Sequence, residues 1–290
     1  MNNIHSKLFD DLDIGDEFPT IIMGVLNLSP ESFYQSSVVN NLEKLKQATT
    51  EMISNGALML DIGARSTAPW SEKISLEEEL KRIIPSIEFV CKIIPEHIII
   101  SVDTQYRVIA EKTYEIASKY KKKMIINDIS NLKTDPTLEE FVIDEDIPII
   151  LMASKKIPGD LLTIEDIIKE LEFTIKKLKS NGYDEKKIIV DPGIGRWIEE
   201  KTPSYDLRIV KDLSKLRILQ KPILVAISRK TFIGSTLDQP NPEDRLNGTL
   251  AATAIAVYNG VHIVRTHDVN NQLLEITKMA KAIRNSVSSK

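Results

Sequence analysis

Eight short apolar runs in this sequence close on side chains that can do chemistry. The closing residues are Asn27; Asp61 with the loop Gly63-Ala64-Arg65-Ser66-Thr67; Asp103; Asn127-Asp128; Met152; Asp191; Ser228-Arg229-Lys230; and Arg265 with His267. They fall into two kinds. Asp103, Asn127 and Asp191 offer acceptors and an amide, which suit a flat heterocycle whose edge shows adjacent donors and acceptors. Met152 fits either as a soft face for such a ring or as core filler. Lys230, Arg265 and His267 are the second kind. Side chains alternate along a strand, so Arg265 and His267 face the same side, and a guanidinium beside an imidazole receives phosphate well. Asn27 suits a phosphate oxygen or a Mg²⁺ that keeps most of its waters. Taken singly, Asp103-Thr104 and Asp128-Ile129-Ser130 also read as capping groups. Trp197 reads equally as a pocket wall or a surface anchor.

The elements that must position these groups alternate. Strands are expected at Ile21 to Leu26, Leu58 to Ile62, Ile98 to Val102, Met124 to Ile126, Ile147 to Met152, Lys187 to Val190, Pro222 to Ile227 and Val261 to Val264. They are almost continuously apolar, as parallel strands buried on both faces are. Helices are expected between them: Leu42 to Asn55, from Ser75, Tyr106 to Tyr120, Thr137 to Asp144, Thr163 to Asn181, Ser204 to Leu219, Pro242 to Asn259 and Asn270 to Arg284. Ser75-Leu76-Glu77-Glu78 is a capping box, and Asn55-Gly56, Asn181-Gly182 and Asn259-Gly260 are stop signals. This order predicts an α/β fold, a single-domain TIM (β/α)8 barrel, over residues 21–290, with residues 1–20 as an N-terminal extension capping the barrel floor. The runner-up is an open doubly wound sheet, which lacks support because the glycine-rich dinucleotide fingerprint is missing. In a barrel, the polar residues that close the strands share one rim. Capping alone does not explain so many polar strand ends.

Composition excludes several classes. A net charge of −4 over 290 residues gives no basic face for nucleic acid. No run approaches a membrane span, and the N-terminus is not that of a signal peptide, so a cytoplasmic location is expected. The single cysteine, Cys91, allows no internal disulfide and supplies no metal cluster; it reads as a packed thiol. Lys121-Lys122-Lys123 reads as a solvated helix end.

The rim motifs together resemble the dihydropteroate synthase family of the pterin-binding TIM-barrel superfamily. The matching segments include Met23-Gly24-Val25-Leu26-Asn27, Leu60-Asp61-Ile62-Gly63, Ser66-Thr67, Asn127-Asp128, Asp191-Pro192-Gly193-Ile194-Gly195, Ser228-Arg229-Lys230-Thr231 and Arg265-Thr266-His267-Asp268. The resemblance implies condensation of 6-hydroxymethyl-7,8-dihydropterin diphosphate with p-aminobenzoate, releasing pyrophosphate. It implies catalytic roles for Asp103, Asp191, Lys230, Arg265 and His267. A pterin site would comprise Asp103, Asn127, Met152, Asp191, Lys230 and Arg265. Asn27, Thr67, Arg265 and His267 would meet pyrophosphate, with Mg²⁺ at Asn27. The small molecules are the partners, and a homodimer is expected.

The chain also departs from the family pattern. Ala68 stands where the family's second loop has arginine, and Arg65 where it has an acidic residue. Tyr34-Gln35-Ser36 replaces Asp-Gly-Gly in the first loop. Ala153 replaces a histidine, and Arg196-Trp197 replaces Phe-Gly. These departures flank the amine substrate, for which Arg65, Arg196 and Ser228 are candidates. A ribosylated aminobenzene phosphate, as in methanopterin synthesis by an archaeal-type variant, is the alternative amine. A pterin-dependent corrinoid methyltransferase and a non-catalytic pterin-binding protein are the alternative functions.

Overall fold

The computed structural model describes residues 3–29, 41–66, 71 and 73–286. A short antiparallel hairpin, β1 (His5–Phe9) and β2 (Leu12–Gly15), comes first. Then follow the barrel strands β3 (Ile21–Asn27), β4 (Met59–Gly63), β5 (Ile99–Asp103), β6 (Met124–Asp128), β7 (Ile149–Met152), β8 (Ile188–Asp191), β9 (Leu224–Ala226) and β10 (Ile263–Thr266). All neighbours are parallel, in the order β8-β7-β6-β5-β4-β3-β10-β9. A parallel bridge between Val190 and Ile223 brings the two ends of this order together and closes the barrel. The helices are α1 (Leu42–Ser54), α2 (Leu76–Ile93), α3 (Arg107–Lys119), α4 (Thr137–Asp144), α5 (Ile164–Ser180), α6 (Pro203–Asp212), α7 (Thr231–Leu237), α8 (Leu246–Tyr258) and α9 (Asn271–Ser286).

Local sequence accounts for the helix starts. Asn41, Ser75 and Thr163 each accept a backbone N–H from the first turn of α1, α2 and α5, satisfying donors that the helix cannot. Two expected helices are shorter as α-helix than their patterns suggest. Ser204 to Leu219 is α6 followed by a 3-10 stretch over Leu213–Leu219, and Pro242 to Asn259 is a 3-10 turn over Pro242–Arg245 followed by α8. The helix α7 has no counterpart in the sequence pattern. Its seven residues are too few to show a period, and Gly234 interrupts them.

Strand ends differ in a way that matters. Asn27, Asp103, Asn127, Asp128, Asp191, Arg265 and Thr266 lie inside the strands, and Asp103 pairs with Asn127 in the ladder. Backbone pairing does not depend on side-chain polarity, so the ladders continue past the apolar runs. Two steps along a strand return to the same face, and this builds the barrel interior in tiers. Met23, Met59, Ile99, Ile125, Ile150, Ile189, Leu224 and Ile263 form a buried lower tier. Two residues further on stand Val25, Asp61, Ser101, Asn127, Met152, Asp191, Ala226 and Arg265. Asn27, Gly63, Asp103, Ser228 and His267 follow. Leu8 and Ile14 of the hairpin join the lower tier from below. A separate apolar layer packs the strands' outer faces on the helices and includes Cys91.

Candidate active site

The polar tiers open into a cavity of about 340 Å³ at the carboxyl ends of the strands. Of the residues assigned from sequence, Asn27, Arg65, Asp103, Asn127, Met152, Asp191, Arg196, Ser228, Lys230, Arg265 and His267 all line it, as does Trp197. Thr67 lies outside the described residues, as do Ala68 and the first-loop segment Tyr34-Gln35-Ser36.

Arg265 reaches across the barrel from β10. Its Nε donates to Asp61 at 2.5 Å and its Nη2 to Asp103 at 3.0 Å. Asp61 is fully buried. It also accepts from Ser101 Oγ at 2.5 Å and from Asn127 Nδ2 at 3.2 and 3.3 Å. One carboxylate from β4 thus orients the amide of β6 and the guanidinium of β10. Sequence reasoning leaves Asp61 without a role. The available signal is its inward position, two residues before Gly63 and two after Met59.

On the opposite side, Asp191 accepts the N–H of Gly193 at 2.7 Å. Lys230 donates its ammonium to the carbonyl of Ile194 and lies 5.5 Å from the ring of Trp197. Gly195, at φ +128°, leaves room for this lysine, because a Cβ there would stand 3.1 Å from Nζ. His267 pairs its Nδ1 with Ser228 Oγ at 3.0 Å. Arg229 grips Asp268 at 2.8 and 2.7 Å, tying the loop that carries Lys230 to the one that carries His267.

Charge in this cavity is poorly neutralised. Burial, then the charge of Asp61, pushes the Asp103 carboxyl up to about 7. Burial also raises Asp191, against the pull of Lys230. It lowers Lys230 to about 8. Burial lowers His267 to about 3, aided by Arg265 and Lys230, so the ring is neutral at pH 7. Arg265 is the exception: burial opposes its charge, but Asp61 and Asp103 outweigh burial and raise it. Such opposed shifts within one cleft mark a functional site.

Three other residues resolve differently. Asp128 accepts the N–H groups of Ser130 and Leu132 and the hydroxyl of Ser130, so the capping reading holds for it. Thr104 likewise accepts the N–H of Tyr106 at 3.3 Å. Arg65 lines the cavity but is engaged elsewhere: Nε donates to buried Glu79 at 2.7 Å and Nη1 to the carbonyl of Ile74 at 2.6 Å. Arg196 is exposed at the rim. Among the described residues no group of three or more His, Cys, Asp and Glu side chains could hold a metal. Asn27 Oδ1 accepts the N–H of Ser29 at 3.1 Å.

A parallel barrel whose mouth sets buried carboxylates and an amide against a lysine, an arginine and a histidine has the architecture of a pterin-binding TIM-barrel enzyme. A family described as pterin binding enzyme matches residues 23–267. A dihydropteroate synthase from Bacillus subtilis is 37% identical over 266 residues, covering 92% of this chain and 89% of that protein. The Escherichia coli dihydropteroate synthase is 31% identical over 90% of this chain and 92% of its own length. Among solved structures, a Yersinia pestis dihydropteroate synthase in a sulfonamide complex superposes with a TM-score of 0.85 at 28% identity, covering 98% of this chain and 100% of that one. A Coxiella burnetii dihydropteroate synthase solved with pteroic acid gives 0.82 at 32% identity, covering 98% and 99%. The chain belongs to the dihydropteroate synthase family of pterin-binding enzymes.

Proposed function

We propose that this chain condenses 6-hydroxymethyl-7,8-dihydropterin diphosphate with p-aminobenzoate, as a transferase in folate biosynthesis. The observation that carries the reading is the division of one cavity. Asp103, Asn127 and Asp191 line it with acceptors and an amide suited to a heterocycle edge, Lys230 stands beside Asp191, and Arg265 and His267 line the part suited to an anion. The alternatives of a corrinoid methyltransferase and a non-catalytic binder are not favoured by relatives named as synthases.

Asp191 and Asn127 would read the aminopyrimidinone edge, with Lys230 on its acceptor atoms and Met152 against the ring. In the reaction the C–O bond to the diphosphate breaks and its electron pair leaves with pyrophosphate. The negative field of Asp103 and Asp191 stabilises the resulting pterin cation, and Arg265 stabilises the departing anion. The amine lone pair then forms the new C–N bond, and its nitrogen releases a proton. The ring of His267 is neutral beside two cations, so it serves as a hydrogen-bonding group toward pyrophosphate. A bound polyanion would raise its affinity for a proton. Thr67 belongs to the same pyrophosphate set. Asn27 would hold a Mg²⁺, a hard cation that suits such a sparse oxygen set and would supply neutralisation of the diphosphate charge. Ser228, exposed Arg196 and, on release from Glu79, Arg65 are the candidates to meet the amine substrate.

The exposed side chains Leu237, Ile255, Tyr258, Met279 and Ile283 of α7, α8 and α9 support a homodimer through these helices. No helix among the described residues is long and apolar enough to cross a membrane. Residues 1–20 are read as the floor cap and 21–290 as the barrel. Purified protein with Mg²⁺ and the pterin diphosphate is expected to release pyrophosphate on addition of p-aminobenzoate. Release only with the ribosyl phosphate would reassign the amine, and release with neither would sink the proposal.

A further inference from the structure

One buried ion pair lies outside the chemistry described so far. Lys201 and Asp206, from α6 and the segment before it, are 0% and 1% exposed. Lys201 Nζ lies 3.6 Å from Asp206 Oδ1 and donates to the carbonyl of Gly193 at 2.6 Å. Asp206 Oδ1 accepts the N–H of Gly195 at 2.9 Å. The pair therefore holds the loop 193–195 at both ends. Between the two holding points, the carbonyl of Ile194 receives the Lys230 ammonium. At the loop's start, the N–H of Gly193 holds Asp191. Lys201 Nζ also reaches the carbonyl of Gly159 at 3.5 Å, in the loop after β7. Neither member of the pair lines the main cavity. Burying two charges to hold one loop is a costly way to add stability alone.

We infer that Lys201 and Asp206 are positioning residues for the pterin site: by clamping the 193–195 loop they fix where Asp191 and Lys230 present their donors and acceptors to the heterocycle. Gly193 at φ +71° and Gly195 at φ +128° adopt conformations that glycine permits but does not itself enforce, so the loop's shape depends on such contacts. This inference rests on the proposed function, since it concerns the affinity of that site for a pterin.

The test compares three variants with wild type by calorimetric titration of 6-hydroxymethyl-7,8-dihydropterin diphosphate, thermal unfolding and steady-state kinetics. Asp206→Leu removes the acceptor for Gly195 and strands Lys201. The double variant Lys201→Met/Asp206→Leu removes both holding points, the donor to Gly193 and the acceptor for Gly195, and strands no ion, so it carries the test where Asp206→Leu does not fold. Asp206→Asn alone keeps an acceptor oxygen for Gly195 and is the conservative rescue. The double variant is expected to bind the pterin at least about tenfold more weakly, as a misplaced recognition group does, with the KM for the amine unchanged. Asp206→Asn is expected to stay within about threefold of wild type, well short of the loss for a displaced group. A folded double variant with wild-type pterin affinity overturns the inference. Equal loss in KM for both substrates, following the thermal midpoint, also overturns it. A wild-type chain that binds no pterin instead removes the functional reading on which the inference stands.

Discussion

The two ends of the barrel handle buried charge in opposite ways. At the floor, Asp16 is surrounded by cations. It accepts from Arg217 at 2.8 and 2.7 Å and from the N–H of Ile4 at 2.8 Å, with Arg284 at 3.1 Å and His262 Nε2 at 3.4 Å. Burial acts against its charge, but the contact with His262 and the hydrogen bonds from Arg217 and the N–H of Ile4 outweigh burial and hold it far below the usual carboxylate range. At the mouth, Asp61 and Asp103 share the single guanidinium of Arg265, and Asp103 is pushed up to about 7. The same residue type is shifted down where cations are in excess and up where carboxylates are. The floor gives its carboxylate an excess of cations and ties the hairpin to the barrel. The mouth is left short of donors, so a ligand that supplies them is bound rather than merely accommodated. The stabilising ion cluster lies at one end of the sheet and the proposed chemistry at the other, as parallel barrels permit.

That contrast can be broken by experiment. The largest effect is expected at the mouth. Asp191→Asn should lower kcat/KM for the pterin diphosphate by about 10²- to 10³-fold, the usual cost of an electrostatic group in a dry site. Its unfolding midpoint should hold or rise, because a strained charge has gone; a fall in midpoint with activity retained would erase the distinction between the ends. Next in size is Asp16→Asn at the floor. It strands Arg217 and Arg284 and should cost about 3 kcal/mol of unfolding free energy in urea titration, as breaking a buried pair does. Kinetics well below the midpoint should stay within about twofold of wild type, a negligible free-energy difference. A large activity loss there would mean that the floor is coupled to the chemistry.

The smallest effect is a pH dependence. Asp103 has a folded pKa of about 7, above its unfolded value, so its neutral form is the one that suits the ligand-free fold. Its contribution is full below the unfolded pKa, near 4, and is lost as pH rises through about 7. Unfolding free energy of the ligand-free chain should therefore lose this contribution across that window. Asp103→Asn should flatten that loss. A stability profile that Asp103→Asn leaves unchanged would show that the mouth is not strained in the way described.

Much of this was legible in one dimension. Parallel strands buried on both faces produce apolar runs, the runs alternate with capped amphipathic helices, and a period of two turns the residues two positions after Met59, Ile99, Ile189 and Ile263 inward. Those regularities are local, so the sequence by itself determined the barrel, its polar rim and the membership of most of the cavity wall. Who neutralises whom was not local. Arg265 meets Asp61 across 204 residues. Arg65 is held by Glu79 at the start of the next helix. Asp128 serves its own turn, and Lys201 with Asp206 clamps a loop that no motif connects to them. Each pairing depends on distances of a few ångströms between side chains that chain spacing does not constrain. Only the closed sheet fixes them, which is why the tertiary structure alone separated the carboxylates left for a ligand from those already satisfied.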